Sequence, residues 1–123
     1  MLIEPSQEQM EEFVSSDLQG GIVMVNLLKF SDEPEAYIRY QNAVKPLLEG
    51  VGGRILWSGK PRHVFIGDQT IHDWDALAAV GYPSRDAFLA MISHPDYPSA
   101  RKDRAMGLAR TAVLCCVPMI TDL

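Results

Sequence analysis

The chain has 123 residues, of which 47% are hydrophobic and 22% are charged, and its net charge at pH 7 is −5. This length and composition are typical of one globular domain and exclude a fibrous or disordered chain. The acidic balance argues against nucleic-acid binding, because a duplex requires clustered lysine and arginine. No apolar run approaches the roughly 20 residues of a membrane helix. The acidic N-terminus has no basic-then-apolar signal segment, so we expect a cytoplasmic protein.

The N-terminal part of the chain predicts a helix followed by a strand. Residues 5–17 have helical spacing, and Ser6 and Gln9 stand at the distance of a capping box. A glycine pair ends this segment, and residues 22–30 form the clearest strand of the chain. Both faces of that strand are largely apolar, which indicates that both faces are covered.

A second helix follows the first strand. Apolar residues recur at spacings of three, four and seven over residues 37–51, the stripe of a helix that lies on a sheet. Asp32 and Glu35 are a plausible pair of capping residues for its start. Pro46 interrupts the pattern, so we expect the helix to kink or to end near Lys45.

The remaining chain predicts two strands, two helices and a final strand. These are residues 54–58 continuing over 63–66, residues 75–82, a helix that is capped by Ser84 and stops near Ser93, a short helix within 96–108, and residues 110–117. The order β-α-β-β-α-β is that of the ferredoxin-like α+β fold, a four-stranded antiparallel sheet with helices on one face. We therefore predict an N-terminal helical extension over residues 1–20 and a ferredoxin-like domain over residues 21–123.

The second face of this sheet is predicted to be apolar and open. The first, third and fourth strands carry apolar residues on both sides, whereas the chain's own helices cover one side. Soluble monomers rarely expose an apolar surface of that kind. The simplest cover is the sheet of a second copy, so we expect a homodimer that pairs through the sheet face.

The two cysteines are expected to be free. Cys115 and Cys116 are adjacent in the last strand, where neighbouring side chains point to opposite faces, so they are poorly placed to bridge each other. We interpret them as buried small hydrophobic residues in a reducing compartment. A vicinal redox pair is the alternative, and nothing near it in the sequence supports that interpretation.

Several motifs then occur in a specific order and spacing. They are Val25-Asn26-Leu27-Leu28-Lys29-Phe30, Tyr37 with Tyr40, Gly52-Gly53, Tyr82-Pro83-Ser84-Arg85, His94-Pro95-Asp96-Tyr97 and Arg104. Over residues 21–118 this series resembles the domain-of-unknown-function family 1330, whose members are dimeric α/β barrels. The resemblance implies a ferredoxin-like fold and a dimer. It implies no activity, because relatives in the superfamily range from cofactor-independent monooxygenases, small-ring isomerases and haem-degrading enzymes to binding proteins.

The segment from His94 to Arg104 contains the strongest candidate for chemistry. An imidazole, a phenol and a guanidinium together can bind and protonate a small carboxylate or enol. We predict His94 as the acid or base, Arg104 as the anion clamp, and Tyr97 as an orienting group. The competing interpretation is structural: Tyr97 packs the corner between two helices, and Arg104 pairs with an acid such as Asp75 or Asp103.

Three further residues complete the predicted ligand-binding set. Asn26 lies mid-strand among apolar residues, where a buried amide either bonds to a neighbour or serves a ligand. Superfamily enzymes with similar sequences place an asparagine of the first strand at their pocket, which favours the second interpretation. Arg85 at a helix start has the wrong sign for the helix dipole, which indicates a specific partner. Tyr40 either packs in the core or lines a cavity.

These residues predict a small-molecule pocket between sheet and helices, with cofactor-independent acid/base or oxygenase-type chemistry on a small organic acid or aromatic. The alternative is a non-catalytic dimer that binds a metabolite or a protein partner. The first interpretation needs His94, Arg104 and Asn26 to converge on one cavity. A salt bridge that occupies Arg104, together with the lack of a concave pocket, would favour the alternative. No metal or cofactor is predicted, because no His, Cys and carboxylate spacing resembles a metal site and His63 and His72 lie in a separate loop region. Haem or flavin binding is a third option that nothing in the sequence demands.

Overall fold

The computed structural model describes residues 3–120, which contain four helices and four strands. In chain order the elements are α1 (Gln7–Ser15), β1 (Ile22–Phe30), α2 (Pro34–Gly50), β2 (Arg54–Gly59), β3 (Ala76–Tyr82), α3 (Arg85–Ile92), α4 (Tyr97–Gly107) and β4 (Leu108–Cys116). None of the helices in this range combines the length and the apolar character that crossing a membrane requires.

The four strands form one sheet in the order β2-β3-β1-β4, and each neighbouring pair is antiparallel. This strand order is that of the ferredoxin-like fold, in which two βαβ units interleave in one sheet. The predicted α+β fold class is therefore confirmed. The even-numbered residues Ile22, Met24 and Leu28 of β1 are buried, because this face of the central strand packs against the helices.

Two apolar clusters fill the space between this face of the sheet and the helices. The buried residues of the first cluster are Ile22, Met24, Leu48, Tyr82 and Met91, and those of the second are Leu28, Tyr37 and Leu108. Residues on β1 belong to both clusters and flank Asn26, which faces the same side. The central strand thus places one polar side chain between two apolar regions.

Helix α1 forms as the capping pattern predicts. The Ser6 hydroxyl accepts a hydrogen bond from the Gln9 backbone N–H, and the Gln9 side chain accepts one from the Ser6 N–H. The helix packs onto α3 through an edge-to-face contact between Phe13 and Phe88, with ring centroids 5.5 Å apart. The N-terminal extension is therefore attached to the sheet-and-helix core.

Helix α2 differs from the prediction at both ends. Its N-cap is Glu33, whose side chain makes no capping hydrogen bond, so the proposed Asp32–Glu35 cap is wrong. Pro46 lies inside the helix, which continues to Gly50 instead of ending early. Burial of Leu48 in the first apolar cluster holds this last turn in place and offsets the backbone hydrogen bond that proline cannot make.

The predicted continuation of the second strand over residues 63–66 is wrong. Strand β2 ends at Gly59, which is paired with Leu77 near the start of β3, so no partner strand remains for later residues. Residues 60–75 form a long loop, in which Phe65 is 94% exposed and Ile66 is 87% exposed.

Two expectations of burial are also wrong. Cys115 is exposed and Cys116 is half-buried, although both are free as predicted. Their strand β4 lies at the edge of the sheet, so it has a neighbour on one side only. Trp57 is likewise 59% exposed, because its strand β2 lies at the opposite edge of the sheet.

Candidate functional site

Three tyrosines and one arginine come together between the sheet and two of the helices. Tyr37 and Tyr40 lie on α2 with their rings stacked at a centroid distance of 5.3 Å. Tyr97 and Arg104 are seven residues apart on α4, so they lie on the same side of that helix. We call these four residues the phenol–arginine cluster.

A close approach of the two helices brings the cluster together. A Cβ atom at Gly107, the last residue of α4, would lie 2.5 Å from the backbone nitrogen of Tyr37 on α2. The Gly107 carbonyl also accepts a hydrogen bond from the Ser31 N–H at 2.9 Å, just before α2 begins. Glycine is therefore required at this position for the two helices to pack as they do.

Arg104 is the buried cation of the cluster. The residue is 8% exposed, and its guanidinium Nη1 donates a hydrogen bond to the backbone carbonyl of Ile3 at 2.8 Å. Ile3 also packs against the second apolar cluster. The segment before α1 therefore covers this arginine, over a sequence separation of 101 residues.

The acids expected as structural partners of Arg104 pair elsewhere. The Asp103 carboxylate lies 3.3 Å from Arg39, and the Asp75 carboxylate lies 3.5 Å from Lys29. Between residues 3 and 120, no carboxylate forms an ion pair with Arg104. The guanidinium is thus buried without a neutralising charge in the described part of the chain.

Burial controls the ionisation of the neighbouring phenols. It raises the pKa of Tyr40 well above its usual 10.0, and the Tyr97 and Tyr37 hydroxyls add to this effect while Arg104 opposes it. Burial likewise raises the pKa of Tyr37, with Arg104 again opposing. Both phenols therefore remain protonated at neutral pH and can donate hydrogen bonds to a ligand.

Asn26 faces the helices from the middle of β1. Its Nδ2 donates a hydrogen bond to the Met24 carbonyl at 3.1 Å, as the structural interpretation expects. Its neighbours across the two adjoining strands are Ala78 and Val113. The Oδ1 of this amide accepts no hydrogen bond from residues 3–120.

His94 lies at the corner between α3 and α4, outside the phenol–arginine cluster. Its Nδ1 accepts a hydrogen bond from the Asp96 N–H at 3.0 Å, and its side chain is 44% exposed. The backbone carbonyl of His94 accepts from the Tyr97 N–H, which starts α4. The structure thus brings Arg104, Tyr97 and Tyr40 together and leaves the imidazole at the surface.

Arg85 has the specific partner that its position predicts, and the partner is another helix. Its guanidinium donates to the carbonyl and to the hydroxyl of Ser16, the C-cap residue of α1. A cation at this end of a helix interacts favourably with the helix dipole. Arg85 therefore attaches α1 to α3 and does not join the phenol–arginine cluster.

Two members of the site were not predicted to act there. Tyr37 was not included in the predicted ligand-binding set, although its spacing of three from Tyr40 already placed both on one helix face. No sequence signal identifies Ile3 as the partner of Arg104, because the contact is made by a backbone carbonyl. Composition and spacing carry no information about such a contact.

Two concave regions stand out in the described structure, and both lie outside the cluster. One, of about 280 Å³, lies at the end of the sheet beside Leu56 and Tyr82. The other, of about 340 Å³, lies in the β2–β3 loop and is lined in part by His63 and His72. No group of three His, Cys, Asp or Glu side chains within residues 3–120 is arranged to hold a metal ion.

Comparison with known proteins identifies the family. A family model described as Domain of unknown function (DUF1330) matches residues 23–117. The chain belongs to the DUF1330 family. The crystal structure of RPA0582, a protein of unknown function from Rhodopseudomonas palustris, shares 30% identity with this DUF1330 protein. That alignment covers 97% of this chain and 98% of the other, with a TM-score of 0.90. No curated protein matches the chain.

More distant structures share the fold alone. A dimeric ferredoxin-like protein of unknown function from Thermobifida fusca is 18% identical, with a TM-score of 0.55 over 85% of this chain and 96% of the other. SnoaB, a cofactor-independent oxygenase from Streptomyces nogalater, is 10% identical, with a TM-score of 0.61 over 85% and 98%. These similarities confirm the ferredoxin-like architecture of this DUF1330 protein.

Proposed function

We propose that this DUF1330 protein binds a small organic anion between its sheet and helices α2 and α4, with Arg104 as the anion-binding group. The observation that carries the proposal is the burial of Arg104 without a carboxylate partner in residues 3–120. Burying an unpaired charge is unfavourable, and a ligand carboxylate, enolate or phenolate offsets this through charge-assisted hydrogen bonds. The Ile3 carbonyl engages one of the five guanidinium N–H groups.

The neighbouring polar groups would orient the ligand. Protonated Tyr40 and the Tyr97 hydroxyl lie beside Arg104 and can donate to oxygen atoms of an anion. Asn26 lies on the same helix-facing side of the sheet and offers an amide oxygen. Hydrogen-bond donors that are already oriented before a reaction stabilise negative charge as it develops. The donors of this cluster therefore suit an enolate or a phenolate as well as a carboxylate.

The reaction class that fits this set is cofactor-independent acid/base or oxygenase-type chemistry on a small organic acid or aromatic. In the acid/base form, a water molecule takes the proton from a carbon next to the substrate carbonyl, because His94 lies outside the cluster, and Arg104 with Tyr97 holds the charge of the resulting enolate. In the oxygenase form, the same stabilised anion reacts with dioxygen. The fold of SnoaB, a cofactor-independent oxygenase, is compatible with either form.

A second candidate is a non-catalytic dimer that binds a metabolite or a protein partner. One observation favours it: the phenols beside Arg104 have raised pKa values, and the exposed His94 imidazole is bonded to the Asp96 backbone. A ligand could then be held by Arg104 without a proton acceptor at its reacting carbon.

For either candidate we propose a homodimer that pairs through the open face of the sheet. The odd-numbered residues of β1 and their cross-strand neighbours make this face apolar: Val23, Val25, Leu27, Leu77, Ala79, Ala112 and Leu114. Leu56 and Trp57 at its edge are 46% and 59% exposed. Such a surface is favourable to bury against an identical sheet, and a related fold is described as dimeric.

The test is a thermal-shift screen of small carboxylates and aromatics, such as pyruvate, benzoate, phenylacetate and salicylate, followed by calorimetric titration of the hits. We expect Arg104→Met to weaken binding by at least about tenfold, the effect of one charge-assisted hydrogen bond. Arg101→Ala, an exposed cation on the same helix, is the matched control and should bind as the wild type does. Equal affinity of Arg104→Met for every hit would show that the proposed site is wrong.

Two further measurements keep the experiment decisive. Tyr97→Phe removes one hydroxyl and preserves the ring, so it tests the site if Arg104→Met fails to fold. Product analysis of each hit, with and without dioxygen, then separates the two candidate functions. Turnover that is lowered in Tyr97→Phe supports the catalytic candidate, and binding without turnover supports the non-catalytic one.

A further inference from the structure

The loop between β2 and β3 forms a cavity of about 340 Å³. The loop covers residues 60–75, and connections of this length within a compact domain are uncommon and often functional. One wall of the cavity consists of residues 61–64, and the other consists of Gln69 and residues 72–74. The cavity is thus built from the two ends of one loop.

Internal hydrogen bonds fix the shape of this loop. The Asp68 carboxylate accepts from the backbone N–H of Thr70 at 2.8 Å and from its hydroxyl at 2.6 Å. The Arg110 guanidinium on β4 donates to the Ile71 carbonyl at 3.0 Å, which attaches the loop to the sheet. Gly67 provides the turn with a φ of 135°. The walls of the cavity are therefore held in place before a ligand binds.

The lining of the cavity is rich in hydrogen-bond donors without partners. The side chains of Arg62, His63, Gln69 and His72 are exposed and form no hydrogen bond or ion pair to any residue from 3 to 120, so they are free to contact a ligand. Trp74 also lines the cavity, and its indole Nε1–H is buried without an acceptor in the same range. A buried donor that lacks an acceptor is unfavourable and points to a ligand or solvent acceptor.

The single carboxylate of the lining is already neutralised. Asp73 lies 3.6 Å from the Lys29 amine and pairs with the Arg110 guanidinium. Arg110 also lies 4.2 Å above the Trp74 ring, so it holds the indole from the side of the sheet. The free charge of the cavity is consequently positive, and it comes from Arg62.

We propose that this loop cavity binds a small oxyanion, either a phosphate or a carboxylate group. Arg62 provides the positive charge, and the imidazoles of His63 and His72 and the indole N–H of Trp74 provide directional donors. Val64 lines the same cavity and gives a ligand's organic part an apolar contact. The site is separate from the phenol–arginine cluster and does not depend on the proposed function.

Tryptophan fluorescence tests this proposal, because the chain has two tryptophans and Trp74 lies in the cavity. In a Trp57→Phe background, Trp74 is titrated with inorganic phosphate, acetate, phenyl phosphate and benzoate at constant ionic strength. We expect a saturable change in emission. Binding of inorganic phosphate and phenyl phosphate would identify a phosphate site, and binding of acetate and benzoate would identify a carboxylate site. Arg62→Ala and His72→Ala are each expected to weaken the affinity for this ligand by about tenfold, the effect of losing one charge-assisted hydrogen bond.

The controls distinguish specific binding in the cavity from a nonspecific attraction between the anion and nearby positive charges. Lys60→Ala removes a neighbouring cation that does not line the cavity and should leave the affinity unchanged. Calorimetric titration of the wild-type protein repeats the measurement without the Trp57→Phe substitution. Absence of saturable binding by both methods, or equal weakening in Lys60→Ala and Arg62→Ala, would overturn the proposal.

Discussion

The buried phenols make the stability of the protein depend on pH. Because burial raises the pKa of Tyr40 well above 10.0, the folded chain keeps a proton that the unfolded chain loses above about pH 10. The unfolded state then binds fewer protons than the folded state, so the free energy of unfolding falls as the pH rises through this range.

Tyr40→Phe removes one of these titrations. We expect urea unfolding measured between about pH 8 and 11 to show a flatter fall in stability for this variant than for the wild type. The wild-type and variant values at pH 7, where the Tyr40 phenol is protonated, correct for the hydroxyl contacts that the variant loses. Parallel pH profiles would contradict the buried, protonated state of this phenol.

The close approach at Gly107 predicts a second effect at the residue scale. A Cβ atom there meets the backbone nitrogen of Tyr37 at 2.5 Å, and backbone atoms cannot move aside easily. We expect Gly107→Ala to lower the free energy of unfolding by about 1–3 kcal/mol in urea denaturation. Gly50→Ala at the end of α2 is the control, because a Cβ atom there meets nothing within 4 Å. A neutral Gly107→Ala would show that α2 and α4 are not packed this closely.

The residue types of the candidate site were readable from the sequence, and their partners were not. Arg104 was predicted with Tyr97, and the helical spacing of these two residues does place them on one side of α4. The neighbouring Asp103 was an obvious partner for Arg104, yet it points to a different side of the helix and pairs with Arg39. Consecutive helical residues face different directions, so proximity in sequence misleads here.

At the scale of elements, the position of α1 is linked to the segment that covers Arg104. Ile3, which covers Arg104, immediately precedes α1, and α1 is held to α3 by the bonds from Arg85 to Ser16. Loss of these bonds should free the N-terminal segment, because little else that is polar holds it. Helix α1 therefore holds in place the segment that covers Arg104.

Arg85→Ala tests this attachment by hydrogen exchange. We expect the amides of residues 7–15 to exchange roughly tenfold faster, the consequence of losing a hydrogen bond to a charged group. The amides of β1 should be little changed. Arg39→Ala, which removes an exposed ion pair with Asp103, serves as the matched control and should leave α1 unaffected. Unchanged exchange in α1 would mean that the Phe13–Phe88 contact alone holds the helix.

The predicted helix starts are correct where the sequence signal is a cap between residues that are close together in the chain. The capping box of Ser6 and the Ser84 cap start their helices as predicted, because a cap involves residues three apart. Residues 63–66 have strand-like composition but no strand opposite them, and Pro46 remains helical because packing outweighs its local penalty. Both errors come from tertiary contacts that override propensity.

At the scale of the whole molecule, the open sheet face predicts the oligomeric state. Leu114 on β4 faces this side, opposite Val25 of the central strand, and is 55% exposed. We expect the wild type to sediment as a dimer and Leu114→Glu to shift it toward a monomer by placing a charge in the interface. Ile38→Glu on the outer side of α2 is the control, because Ile38 is 58% exposed. A wild-type monomer at micromolar concentration would contradict the dimer.

The sequence by itself determined the architecture, because strand and helix order, apolar periodicity and caps are local properties that the ferredoxin-like sheet preserves. It also identified Arg104, Tyr97, Tyr40 and Asn26 as chemically notable. Only the tertiary structure decided which of these meet and which, like His94 and Arg85, serve elsewhere. A site depends on contacts between residues far apart in sequence, such as Ile3 with Arg104, and those contacts exist only once the helices have packed on the sheet.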